Sequence, residues 1–148
     1  AEKGQKLKDT LIKLVDEDTR SFNAILEAIR MPKGTEEEKA ARKHAIQNAT
    51  KYAIEVPFQT MQVCAQSFDL IKEMVKEGNP NSVTDAAVGA LCCRAAVHAA
   101  YLNVKVNSGD LEDKKFVKDT LDKASKMIEE ADKREKEILA LANKILDH

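Results

Sequence analysis

The sequence has few of the residues that break helices and few of those that build sheets. Its 148 residues include 5 glycines, 3 prolines and no tryptophan, and aromatic residues make up 4% of it. Alanine, leucine, glutamate and lysine are frequent instead, and all four favour helices. This scarcity of breakers argues against a sheet with many turns. It predicts a few long helices.

The chain also has no excess of charge of either sign. Its 24 basic and 25 acidic residues give a net charge of −1, which leaves no electrostatic footprint for duplex DNA or an anionic membrane. No apolar run approaches the length of a bilayer span, and the chain does not open with a signal segment. We therefore expect a cytoplasmic protein with neither nucleic acid nor membrane as a partner.

Several signatures of nucleotide and metal chemistry are missing. The sequence has no Walker loop, dinucleotide fingerprint, HExxH motif or histidine–carboxylate cluster with metal spacing, so we expect no metal and no cofactor. Cys64, Cys92 and Cys93 are an odd number of cysteines without CxxC spacing. We predict that they are reduced, small core residues.

Apolar residues recur at helical spacing in four segments. We predict helices over about 7–30, about 36–77, from residue 82 or 84 to about 107, and about 113–146. The second helix should begin with a capping box at Thr35 and Glu38, continue through Pro57 with a kink and end at Gly78. The expected fold is all-α: a bundle of about four long antiparallel helices that forms a single domain over residues 1–148.

Asp18 stands out because it projects into the apolar stripe of the first helix, whereas Asp16 points away from it. A carboxylate there is costly unless it is paired or functional. Pairing with a neighbouring helix or a backbone group is the commoner case, and a catalytic acid is the alternative.

The third helix places polar residues beside small ones on a single face, namely Asp85, Gly89, Asn103 and Asn107. Such a face permits close helix packing or the close approach of a flat ligand, and its spacing alone favours packing. Arg94 lies on the opposite face of this helix, which we expect to be buried on most sides. It should therefore pair with an acid or an anionic ligand.

An ordered succession of short motifs resembles the cyclodeaminase/cyclohydrolase domain family. This family includes formiminotetrahydrofolate cyclodeaminase and the bacterial methenyltetrahydrofolate cyclohydrolases. The similar segments cover nearly the whole chain: LVDED and SFNA within 14–24, MPK at 31–33, EVP at 55–57, GNPNSVTDA at 78–86, VGAL and RAA within 88–96, and LNVKVN at 102–107.

The resemblance implies a homodimeric, metal-free enzyme that binds a tetrahydrofolate derivative between helices. The cyclodeaminase converts 5-formiminotetrahydrofolate to 5,10-methenyltetrahydrofolate and ammonia, while the cyclohydrolase adds water to the methenyl bridge. An acid held in a dry pocket suits this proton transfer, because desolvation raises its pKa toward neutrality. The family's catalytic aspartate falls at residues 16–18, where the face argument favours Asp18 but leaves Asp16 open. The expected substrate-binding residues are Asp85, Gly89, Asn103 and Asn107 for the pterin, with Arg94, Lys33 or Lys105 for the glutamate tail.

One feature of the family has no counterpart here. Its N-terminal helical stretch carries a glycine-rich PGGGS-like turn, whereas this sequence opens where the family's second helix starts. We therefore expect one groove of the bundle to be open, with apolar surface exposed. A formiminotransferase is a further expected partner. The alternative from another class is a non-catalytic helical module whose groove binds a partner helix.

Overall fold

The computed structural model describes residues 2–147, which form four α-helices and one 3-10 turn and contain no strand. The helices are α1 (Glu2–Arg30), α2 (Glu36–Glu77), α3 (Val83–Ser108) and α4 (Lys114–Leu146), and the turn Pro80–Ser82 precedes α3. The all-α prediction is confirmed. The first helix begins earlier than its apolar stripe suggested, because good helix formers such as lysine and glutamine extend it without adding to the stripe.

Local side-chain signals set the helix ends, largely as predicted. Thr35 Oγ1 accepts from the N–H of Glu38 at 3.2 Å, and the Glu38 carboxylate accepts from the N–H of Thr35 at 3.1 Å. Asp113 caps α4 by accepting from the N–H of Phe116 at 3.0 Å. At the end of α2, the N–H of Gly78 donates to the Met74 carbonyl at 3.0 Å. α2 runs through Pro57 as one continuous helix.

α2 is the central helix of the bundle. Short loops join the consecutive helices, and each consecutive pair packs together in an antiparallel sense. The main core lies between α2, α3 and α4, around buried Ile54, Met61, Phe68, Val97 and Ile138. On the other side of α2, Leu14 of α1 packs into a smaller cluster with Val56 and Val63.

α1 and α3 flank an open groove whose floor is α2. Within residues 2–147, α1 packs extensively against α2 alone, and no other helix covers the side of α1 that borders the groove. Large apolar side chains are exposed on both flanking helices: Ile12, Val15, Phe22 and Ile29 on α1, and Val88, Leu91, Leu102 and Val106 on α3. The expected open groove with exposed apolar surface is confirmed.

α3 departs from expectation in two ways. It is not buried on most sides, since only 28% of its most apolar window lies inside the protein. In addition, Pro80–Ser108 is long and apolar enough to cross a membrane, by length and composition alone. The segment is not one uninterrupted apolar run, because Arg94 is a lone charge between Asp85 and Lys105.

The cysteines follow the environment of their helices. Cys64 is buried and Cys93 is half-buried, as predicted, but Cys92 is exposed on the outward face of α3. Burial raises the pKa of Cys64 to about 11. Its thiol is therefore neutral at neutral pH.

Candidate active site between α1 and α3

The groove contains two cavities that share one carboxylate and one amide, those of Asp18 and Asn103. The larger cavity has a volume of about 390 Å³, and its lining includes Leu14, Asp18 and Thr19 of α1, Pro57 and Thr60 of α2, and Ala96, Ala99, Ala100 and Asn103 of α3. The smaller has about 190 Å³ and is lined by Asp18, Ser21, Phe22, Ile25, Ala53, Asn103 and Asn107. A potential reacting group therefore lies where the two cavities meet.

Asp18 is exposed, although its place on the apolar stripe predicted burial. The reason is the open groove: α3 stands across from this face of α1 and does not pack on it. Within residues 2–147 the Asp18 carboxylate makes no hydrogen bond or ion pair, while its backbone carbonyl accepts from Ser21 Oγ at 2.8 Å. The carboxylate is therefore available to a ligand.

Asp16 lies on a different side of α1. It is exposed and lines neither groove cavity. Two residues along a helix correspond to a turn of about 200°, so Asp16 and Asp18 cannot both face the groove. The structure thus places Asp18, and not Asp16, at the cavities.

The two asparagines of α3 enter the site in different ways. Asn103 Nδ2 donates to the carbonyl of Ala99, one turn earlier in its own helix, at 3.3 Å. Asn107 Nδ2 donates across to α2, to the carbonyl of Ala53, at 2.9 Å. Asn103 is exposed and Asn107 is half-buried. Asn103 is therefore the more accessible amide.

Three predicted binding residues do not reach the groove cavities. Asp85 is exposed near the start of α3, about 27 Å along the helix axis from Asn103. A Cβ at Gly89 would lie 3.9 Å from Ile71 of α2, an ordinary van der Waals contact, and Gly89 lines neither groove cavity. Arg94 faces α4, where its Nε donates to Asp132 Oδ1 at 2.6 Å. The prediction that Arg94 pairs with an acid is confirmed, and that acid is a residue of this chain.

Sequence reasoning missed three polar residues of the groove, Thr19, Ser21 and Thr60. Ser21 is 3% exposed and lines the smaller cavity. Thr60 lines the larger one and donates through Oγ1 to the Val56 carbonyl at 3.1 Å. Ser21 was detectable, since it lies three residues after Asp18 and so near the same face of α1. Thr60 was not detectable from the sequence. The packing of α1, α2 and α3 decides which side of α2 faces the groove.

A cavity of about 420 Å³ lies elsewhere, between the first half of α2 and the loop before α4. Its charged groups neutralise one another: Lys43 Nζ pairs with Glu112 at 2.8 Å and Lys51 Nζ with Asp113 at 3.3 Å. Across residues 2–147, no group of His, Cys, Asp and Glu side chains is arranged to hold a metal ion. The groove, with its unengaged carboxylate, is the better candidate site.

Comparison with known proteins agrees with the motif succession. A family model described as formiminotransferase-cyclodeaminase matches residues 1–126. A methenyltetrahydrofolate cyclohydrolase of Methylorubrum extorquens is 38% identical over 130 residues, which are 88% of this chain and 62% of the relative. A formimidoyltransferase-cyclodeaminase of Gallus gallus is 36% identical over 136 residues, or 92% of this chain and 25% of the relative. The chain thus spans less than two thirds of the length of these relatives.

A solved structure shares the fold. The crystal structure of formiminotetrahydrofolate cyclodeaminase from Thermotoga maritima superposes with a TM-score of 0.73, at 22% identity, over 97% of this chain and 65% of that chain. At this level of identity the likeness establishes the helical arrangement alone.

Proposed function

This chain belongs to the formiminotransferase-cyclodeaminase family, and we propose that it acts on a one-carbon derivative of tetrahydrofolate as a formiminotetrahydrofolate cyclodeaminase. The observation that carries the proposal is the Asp18 carboxylate, which has no partner within residues 2–147 and lies in a groove beside Asn103. The family relation supplies the substrate class. The groove supplies a place for it.

The reaction needs one proton to move between two nitrogens. Written from the protonated amidine of 5-formiminotetrahydrofolate, N10 forms a bond to the amidine carbon, and the bond from that carbon to its terminal nitrogen breaks. The proton that N10 loses leaves with that nitrogen as ammonia, and the methenyl cation remains. In our proposal Asp18 takes the proton from N10 and passes it to the departing amine, so the carboxylate is restored after each turnover.

The walls of the groove suit a flat, partly polar ring. Ala96, Ala99 and Ala100 form a low wall on α3, and Pro57 contributes a buried apolar floor. We assign Asn103 the role of orienting the pterin, whose edge offers both donors and acceptors. A ring seated here would displace water from Asp18, and electrostatic interactions strengthen when water is excluded.

A second candidate activity is the hydrolysis of 5,10-methenyltetrahydrofolate. It is favoured by the Methylorubrum extorquens relative, a cyclohydrolase that is 38% identical to this chain. Here Asp18 would act as a general base toward water that attacks the methenyl bridge. The same carboxylate serves both reactions, so the two proposals share a site and differ in the nucleophile.

Ultraviolet absorbance tests the proposal directly, because the methenyl product has its own absorbance band. The protein is mixed with 5-formiminotetrahydrofolate, and separately with 5,10-methenyltetrahydrofolate, and the methenyl band is followed. We expect it to grow in the first mixture, and Asp18→Asn to slow its growth by about 100-fold or more, the usual contribution of a general acid or base.

Asp16→Asn is the matched variant, since it removes a similar carboxylate two positions away that lines neither cavity. We expect it to keep the activity. Loss with Asp16→Asn but not with Asp18→Asn would move the catalytic role to Asp16. A protein with no turnover in either mixture would contradict both enzyme proposals and favour the helical binding module.

The remaining expectations stay predictions. We propose that the substrate is supplied by a formiminotransferase, the activity joined to the cyclodeaminase in the name of the Gallus gallus relative. We also propose a homodimer, which the exposed apolar side chains of α3 support. A cytoplasmic location and catalysis without metal or cofactor remain expectations from the sequence and the family resemblance.

A further inference from the structure

Pro57 leaves a backbone carbonyl without its helical partner. In α2 the N–H of residue 57 would donate to the carbonyl of Ala53, four residues earlier, but proline has no N–H. Ala53 and Pro57 are both buried. A buried carbonyl without a donor destabilises a fold, so a replacement is needed.

Asn107 of α3 supplies that replacement. Its side-chain Nδ2 donates to the Ala53 carbonyl at 2.9 Å. Ala53 and Asn107 both line the smaller groove cavity, together with Asp18 and Asn103. The hydrogen bond therefore joins α2 to α3 within the candidate site.

The position of this bond affects Asn103. Asn103 precedes Asn107 by about one helical turn, roughly 6 Å along the axis, and its own amide donates only within α3. A small slide or rotation of α3 against α2 would carry Asn103 away from Asp18. The hydrogen bond between Asn107 and Ala53 fixes the position of α3 along α2. In that position Asn103 and Asp18 line the same two cavities.

We propose that Asn107 is a positioning residue: its amide replaces the hydrogen bond that Pro57 removes from α2 and thereby sets Asn103 opposite Asp18. The hydrogen-bond exchange stands on geometry alone, whereas its effect on turnover rests on the proposed function. The competing explanation is that Asn107 contacts the ligand itself.

A cycle of three variants separates the two explanations: Asn107→Ala, Pro57→Ala and the double variant. Alanine at position 57 restores the N–H that donates to the Ala53 carbonyl, so the fold no longer needs the Asn107 amide. The measurements are the urea midpoint, kcat and KM for 5-formiminotetrahydrofolate. Asn143→Ala on α4, an exposed asparagine removed from the groove, is the control in both backgrounds.

With Pro57 present, we expect Asn107→Ala to lower the urea midpoint and to lower kcat by about 10- to 100-fold, the scale of a misplaced catalytic geometry. In the Pro57→Ala background, the same change should lower kcat by less than about 3-fold and leave the midpoint nearly unchanged, since position 57 then supplies the donor. Asn143→Ala should show no such dependence on residue 57.

Equal effects of Asn107→Ala on the urea midpoint in both backgrounds would overturn the hydrogen-bond exchange. A midpoint that depends on residue 57 together with a kcat loss that does not would overturn the positioning role and assign Asn107 to the ligand. If the unaltered protein turns over neither folate, the proposed function is wrong, and the positioning role in turnover is wrong as well. The urea cycle would still decide the exchange itself.

Discussion

Asp132 of α4 binds two residues of α3 through one carboxylate oxygen. Arg94 Nε and His98 Nε2 lie 2.6 Å and 2.8 Å from Asp132 Oδ1, and Glu135 lies 3.8 Å from Arg94 Nε. The hydrogen bonds from His98 and Arg94 lower the pKa of Asp132 below its ordinary value of 3.8. The ionised carboxylate therefore stabilises the fold above pH 3.8, and that stability is lost as the pH falls through the lowered folded-state pKa.

We expect Asp132→Asn to be less stable than the unaltered protein near pH 5, with a difference that shrinks toward about pH 2. The physical reason is that acid protonates Asp132 in the unaltered protein and so removes the interaction that the variant lacks throughout. Urea unfolding of both proteins at a series of pH values measures this difference in stability. A difference that stayed constant down to the lowest pH would show that the pKa of Asp132 is not lowered by folding.

At the scale of single residues, the sequence predicted which side of its helix a side chain faces better than it predicted how exposed that side chain is. The 100° step of a helix fixes which way Asp18 and Asp16 point, and the structure places Asp18 alone at the groove. The exposure of Asp18 was not predictable, because it depends on α3 standing away from α1. In the same way the need of Arg94 for an acid was predictable, but its partner is Asp132, 38 positions away.

The ends of the helices offer a matched pair of glycines. A Cβ at Gly78 would lie 2.2 Å from the Met74 carbonyl oxygen, whereas at Gly109 the nearest atom would be the Val106 oxygen at 3.8 Å. Gly109 also has ordinary helical angles, φ −60° and ψ −44°. We expect Gly78→Ala to lower the free energy of unfolding by more than about 1 kcal/mol and Gly109→Ala to raise it by about 0.5 kcal/mol.

Urea or thermal unfolding of the two variants checks this contrast. Both substitutions reduce the freedom of the unfolded chain by the same amount, so their difference isolates the clash at the end of α2. If the two substitutions changed the free energy of unfolding equally, the backbone around Gly78 would have moved to relieve the clash without loss of stability.

Helices and their ends were the most predictable elements, because the signals are local. The Thr35–Glu38 capping box, the Asp113 cap and the Gly78 end all involve residues within a few positions of one another. Pro57 shows where local information stops. Its missing hydrogen bond was predictable, but the donor that replaces it is Asn107, whose partner Ala53 lies 54 positions away.

For the whole molecule, the sequence predicted four helices but not which faces cover one another. The periodicity of α1 predicts an apolar face, and the small residues of α3 predict close helix packing. Neither pattern predicts which other helix packs against that face. In the structure α1 packs against one side of α2, and α3 and α4 pack against the other. Much of the apolar surface of α3 is consequently left exposed, which is the arrangement from which the proposed dimer follows.

We expect the homodimer to form through the outward face of α3. Leu102 and Val106 are 65% and 72% exposed, and Arg94, the single charge between Asp85 and Lys105, faces α4 instead. Burying such apolar area favours association by about 25 cal/mol per Å². Light scattering of the unaltered protein should therefore give twice the chain mass of 16.4 kDa, and Leu102→Glu should give the single mass.

Ile12→Glu is the matched control, because Ile12 is 58% exposed but lies on α1. It should leave the dimer intact. Dissociation by Ile12→Glu with a persistent Leu102→Glu dimer would place the interface on α1. A monomeric unaltered protein would contradict the dimer, since the exposed face of α3 would then be stable in water without a second copy.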